Sequence, residues 1–145
     1  MSRPRKVRTT RHSPVCVRLT DEHRVIIAQA HRGISDAQRA TLLRALAPLW
    51  TRRDVATALN RRDVGAIYAV LNRELGIPQR QLGMLTGQSQ SEIAEILAGR
   101  QVLTYDLLLR VATNLGIPLW RMGLSAEPPA RARRRANRRN PVKAP

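Results

Sequence analysis

Phenylalanine is missing from these 145 residues, and only two Trp and two Tyr accompany the aliphatic side chains. A core must therefore be closed with Leu, Ile, Val and Ala, which suits short packed helices. Cysteine occurs once, at Cys16, so no intrachain disulfide can form, as fits a reducing compartment. His12, His23 and His31 lack metal-ligand spacing and Cys16 has no ligand partner near it, so no metal or other cofactor is expected. No apolar run approaches the roughly 18 residues of a membrane span. The basic N-terminus has no apolar stretch of the kind a secretory signal needs, so a cytoplasmic, nucleoid-associated protein without a membrane partner is expected. Acids are scarce: the ten carboxylates form no convergent pair. No Ser-His-Asp set, P-loop or dinucleotide fingerprint occurs, so catalysis is not expected.

Arginine is what the chain has instead. The formal net charge is +16 and the isoelectric point about 11.9, an electrostatic footprint that points to a polyanionic partner. Lys6 and Lys143 are the only lysines. The charge gathers at the ends, since residues 1–19 hold six basic and no acidic side chains and residues 130–145 hold seven and none. Residues 20–129 are nearly balanced, with 13 basic against 10 acidic groups. Four segments follow: a basic disordered arm over 1–19, a helical segment over 20–60, a second helical domain over 61–126 and a basic disordered tail over 127–145.

Helix punctuation is dense along the middle. Val15, Val17 and Leu19 alternate with polar residues as in a strand, over too short a run to define one. Thr20, followed by Asp21 and Glu22, opens a helix that Gly33 closes. Ser35 with Gln38 forms a capping box, and Leu42, Leu43, Leu46 and Leu49 line one side of the helix it opens until Pro48 ends or kinks it. Trp50 is expected to pack inward. Thr51 with Asp54 marks another start, with Val55 and Leu59 buried in a short amphipathic helix that runs up to Asn60. Asn60 with Asp63 precedes Val64, Ile67, Tyr68, Leu71 and Leu75, a continuous apolar face ended by Gly76. Thr104 caps a helix burying Leu107, Leu108, Val111, Ala112 and Leu115, and Pro118 starts a last short one with Leu119, Trp120 and Met122.

The stretch 77–100, I-P-Q-R-Q-L-G-M-L-T-G-Q-S-Q-S-E-I-A-E-I-L-A-G-R, holds two helices and a tight turn. Pro78 suits the first helix's start, and Leu82 and Leu85 give it an inner side. Thr86-Gly87 breaks it. Ser89 with Glu92 is a capping box, Ile93, Ile96 and Leu97 form the next buried face, and Gly99 closes it. Two such helices around a glycine-bearing turn make a helix-turn-helix.

From these residues onward, positions 61–124 resemble the Cro/phage-repressor-type helix-turn-helix domain, also called the xenobiotic-response-element family. The string T-G-Q-S-Q-S-E-I-A-E-I-L-A-G-R is similar to the variant found in actinobacterial regulators. The resemblance implies an all-α, five-helix domain that binds double-stranded DNA. By position, it implies that Gln79 touches a phosphate and buttresses the recognition helix, with Arg80 beside it. Ser89, Gln90, Ser91 and Glu95 fall at the start and along the outer face of that helix, and Arg100 in the loop that grips phosphate. A Gln at position 90 can bond adenine through its amide, and Glu95 can accept from the cytosine amino group or simply face solvent. Glu92 adds a second acid unless its cap engages it. Arg73, Arg80 and Arg110 offset these acids only if they face the DNA. Gly83 stands where a small residue, usually Ala, lets the two helices approach, and Pro78 where Ser or Thr usually caps.

The expected function is sequence-specific transcriptional regulation through a recognition helix in the major groove, with a homodimer on inverted half-sites as the arrangement relatives use. Leu42, Leu46, Leu49 and Trp50 offer either a dimer surface or packing within one chain. Trp50 and Trp120 read as packing residues rather than base-stacking platforms. Two other classes fit the same sequence: an antitoxin-like protein-interaction module, and a nonspecific nucleoid or RNA-binding protein working through its Arg-rich arms. No effector is legible.

Overall fold

Thr20, Ser35, Asp63, Ser89 and Thr104 each turn a side-chain oxygen onto the backbone N–H three residues on, and each opens an α-helix. The computed structural model describes residues 17–126. The helices are α1 (Asp21–Ala28), α2 (Asp36–Leu46), α3 (Arg53–Asn60), α4 (Val64–Ala69), α5 (Gln79–Thr86), α6 (Gln90–Leu97) and α7 (Tyr105–Leu115). Short 3₁₀ turns run over Ala30–Arg32, Ala47–Thr51 and Leu119–Met122, and no strand occurs among the described residues. The fold is all-α, with α5 and α6 as the helix-turn-helix. The basic tail over 127–145 and positions 1–16 of the basic arm lie outside the described residues.

Four local readings change. Val17 and Leu19 are not in a strand; they lie half-buried against the core, and Val15 is outside the described residues. Thr51 does not cap α3, because its hydroxyl donates to the Pro48 carbonyl at 2.8 Å and Arg52 occupies the cap position. Asn60 ends α3 as expected but does not open α4; Asp63 is the cap, accepting from the Ala66 N–H at 3.1 Å. The long apolar face from Val64 to Leu75 is buried as expected, but α4 gives way to a π turn over Val70–Glu74. Leu71 and Leu75 both reach the core across that turn.

One hydrophobic cluster joins the early helices to the later ones, running from Ile26 through Trp50 and Tyr68 to Met122. α1 and the 3₁₀ turn Ala30–Arg32 pack on α5, and α3 packs on α4. Leu42, Leu46, Leu49 and Trp50 are each at most 1% exposed, so they pack within one chain and offer no dimer surface. Trp50 carries one irregularity, a buried indole N–H with no hydrogen-bond partner. Trp120 is only half-buried, and the Arg121 guanidinium lies over its ring at 4.6 Å.

Polar ties fix the early helices on the later ones. The Arg24 guanidinium donates to the Leu75 carbonyl at 3.0 Å, just before Gly76 turns the chain into α5. Arg52 forks both ways, to Asp54 at 2.7 and 2.9 Å and to Glu74 at 2.8 and 3.0 Å. That guanidinium holds the Asp54 carboxyl below its usual range, and the two carboxylates raise Arg52 in turn. The start of α3 is thereby clamped to the end of the π turn.

Candidate nucleic-acid interface

The turn between α5 and α6 is tight for two reasons. Gly87 takes the left-handed conformation at φ 78° that ends α5. Gly83, one turn earlier, lies against the turn itself: a Cβ there would stand 2.5 Å from the Gln88 carbonyl oxygen. Gly65 plays a similar part on α4, where a Cβ would meet the Ile96 carbonyl oxygen at 2.8 Å. Two glycines thus let α6 lie close to both α4 and α5, with Ile93 and Ile96 sealed at 0% and 1% exposure.

The capping box on α6 is complete. The Ser89 hydroxyl oxygen accepts from the Glu92 N–H at 3.1 Å, and the Glu92 carboxylate accepts from the Ser89 N–H at 3.0 Å. Glu92 is therefore engaged at the cap. Opposite the buried face, Gln90, Ser91, Ala94, Glu95 and Ala98 form one exposed stripe. Two alanines on that stripe leave the backbone open to close approach.

Sequence reading did not find the buried polar cluster behind the turn. The Tyr68 hydroxyl donates to the Gln88 side-chain oxygen, which also lies 3.2 Å from the Thr86 hydroxyl. Thr86 reaches the Leu82 carbonyl as well, at 2.8 Å, and the Asn114 amide donates to the Thr86 carbonyl at 3.1 Å. Gln88 is 7% exposed, and its amide nitrogen has no partner. Tyr68 lies on α4 and Gln88 in the turn between α5 and α6, twenty residues on, so no local pattern signals that this side chain points inward.

This cluster has a pH signature. Burial pushes the Tyr68 phenol up to about 12, with a small opposing pull from Thr86 and a further push from the Glu92 carboxylate. A phenol whose folded pKa lies above its unfolded value holds its proton better when folded. The fold's advantage is whole below about pH 10 and shrinks as pH rises toward about 12, by about 2–3 kcal/mol in all. Absorbance titration of the folded protein, with Tyr68→Phe as the blank, should show Tyr68 keeping its proton until the pH nears about 12. Half-ionisation of Tyr68 at about pH 10 in folded protein would contradict this.

Gln79 is the first residue of α5 and half-buried, Arg80 beside it is exposed, and Pro78 caps without a side-chain bond. Glu95 and Arg100 meet, Oε1 to Nη1 at 2.7 Å, with both side chains about half exposed. Neither is independent: the carboxylate that could read a base and the cation that could hold a phosphate neutralise each other. Arg73 and Arg110 are exposed, on α4's π extension and on α7, with the Arg110 side chain beside Gly87. Among the described residues no group of His, Cys, Asp and Glu could hold a metal ion, and no helix is long and apolar enough to cross a membrane.

Residues 67–119 match a helix-turn-helix family model, covering the second half of α4 with its π turn, and all of α5, α6 and α7. No curated protein and no solved structure matches the chain. Local chemistry, helix order and this match agree that residues 67–119 form a helix-turn-helix domain of the Cro/repressor, DNA-binding type.

Proposed function

We propose that this protein is a sequence-specific transcriptional regulator that lays α6 in the major groove of duplex DNA. The observation that carries the reading is the exposed stripe Gln90, Ser91, Ala94, Glu95 and Ala98 on a helix whose opposite face is fully buried. Gln90 and Ser91 stand at the amino end of α6, the end that meets base edges in this type of domain. Gln79, Arg80 and the first N–H groups of α5, which no side chain caps, are suited to phosphate. Ser89 orients α6 through its cap and presents little else, since its oxygen is engaged. Arginines in the terminal arms add sequence-independent attraction to phosphate.

Selection of binding sites from a random duplex pool by the full chain tests the reading. An enriched motif is expected; recovery of no sequence above background would rule out sequence-specific regulation.

The Glu95–Arg100 pair gives a second expectation. Glu95→Gln should release Arg100 toward the backbone and remove a negative charge from the interface. Duplex affinity at low salt is expected to rise several-fold, and the salt slope to steepen by about one. A weaker complex with unchanged slope would mean that Glu95 itself contacts a base.

A further inference from the structure

An open groove of about 770 Å³ lies between α4 and the chain that leaves α6. On one wall Ala66, Ala69 and Arg73 fall at i, i+3 and i+7 along α4 and its π turn. The other wall runs from Leu97 to Leu103 and includes none of Gln90, Ser91 and Glu95. Its lining is of two kinds. Leu97, Val102 and Leu103 are apolar, and Leu103 is 78% exposed, more than Val25 at 53% or Tyr105 at 55%. Along the rim stand Arg61, Arg62, Arg73 and Arg100.

The cations are poorly balanced. Asp63 is the acid in the lining, and it caps α4 through the Ala66 N–H. Arg100 has Glu95, but Arg61 and Arg73 make no ion pair with any described residue. Arg62 is held in place by its Nε donating to the Met122 carbonyl at 2.8 Å, at a backbone φ of 55° that non-glycine residues rarely take. A positively charged rim around an apolar floor calls for a ligand with both characters.

We propose that this groove docks an acidic amphipathic helix of a partner protein, with aliphatic side chains on the floor and carboxylates on the arginine rim. From Val64 to Arg73 the helical wall extends about 13 Å, which matches about two and a half turns of a docked helix. A DNA backbone fits the floor badly, because it brings phosphates and no aliphatic groups to cover Leu103. Complementary charge sets orientation and on-rate, while burial of Leu103 and Leu97 supplies the anchor. This inference is independent of whether α6 reads DNA.

The probe is a labelled synthetic peptide of about twelve residues, with Leu at i, i+3, i+4 and i+7 and Glu elsewhere. A shuffled peptide of the same composition and a polyglutamate of equal length serve as controls for binding to the basic arms. Anisotropy with the full chain should show the patterned peptide binding at least about fivefold more tightly than the shuffled one. Leu103→Ser and Arg73→Gln, both at exposed positions and so harmless to the thermal midpoint, should each weaken it about fivefold. Polyglutamate binding should not change with Leu103→Ser. Equal binding of patterned and shuffled peptides, or indifference of the patterned peptide to Leu103→Ser, would overturn the proposal. So would a loss of duplex binding by Leu103→Ser with peptide binding intact, which would assign the groove to DNA. Failure of site selection alone would instead remove the regulator reading and leave the groove standing.

Discussion

Gln90→Ala is expected to lower the preference for a selected site over random duplex by about 5–150-fold, the 1–3 kcal/mol of a lost bidentate base contact. Affinity for random duplex should barely move, since that binding comes from phosphate contacts and the arginines. The substitution is clean because Gln90 is exposed at the first position of α6, makes no side-chain bond among the described residues, and is replaced by a strong helix former. Ser91→Ala should have a smaller effect of the same kind, as a single hydroxyl offers less discrimination than an amide. Competition of the two duplexes at one fixed salt concentration measures the ratio directly. An unchanged ratio would withdraw the recognition role from Gln90, whatever happened to total affinity.

The largest effect on stability is expected at Gly83. A first side-chain atom there already meets the Gln88 carbonyl oxygen at 2.5 Å, and Gly83→Val adds two more on a stiff branch. The turn cannot yield freely, because the Gln88 N–H donates to the Gly83 carbonyl at 2.8 Å and the Gln88 side chain is held in the Tyr68 cluster. Loss of about 3 kcal/mol is expected, the upper end for overpacking and a large share of the stability of a domain this size. Chemical denaturation measures it, and the exposed Ala94→Gly, which loses only about 1 kcal/mol of helix propensity, is the control. A Gly83→Val protein as stable as the parent would mean that α5 and α6 are not in the close contact described. Gly83→Ala is milder, needing a shift of the turn that its helix propensity partly offsets.

Much of the fold was legible because its signals are local. Thr20, Ser35, Ser89 and Thr104 cap the helices they precede in sequence, and the apolar faces from Val64 to Leu75 and from Leu107 to Leu115 lie inward or against the core. Where local signals competed, the wrong one was read. Thr51 and Asn60 have cap-forming side chains, yet Thr51 bonds back to Pro48 and Asn60 completes α3, because the neighbouring Arg52 and Asp63 have tertiary or geometric reasons to stand at the starts. A π turn has no periodic signature over five residues, so α4's change of pitch could not be anticipated.

The sequence by itself determined the helix-turn-helix. Capping boxes, glycine stops and a 3.6-residue apolar period act within a few residues of chain, so they survive without any tertiary context. It also determined which side chains of α6 face outward, since the buried face excludes them. Only the tertiary structure decided that Leu42, Leu46, Leu49 and Trp50 close the core of their own chain, that Glu95 neutralises Arg100, that Gln88 turns inward to Tyr68, and that Arg61, Arg73 and Leu103 face one groove. Each of these depends on distance between residues that are remote in sequence or on which of several open directions a side chain takes. Such choices are settled by packing and charge across helices, and the chain order alone does not carry them.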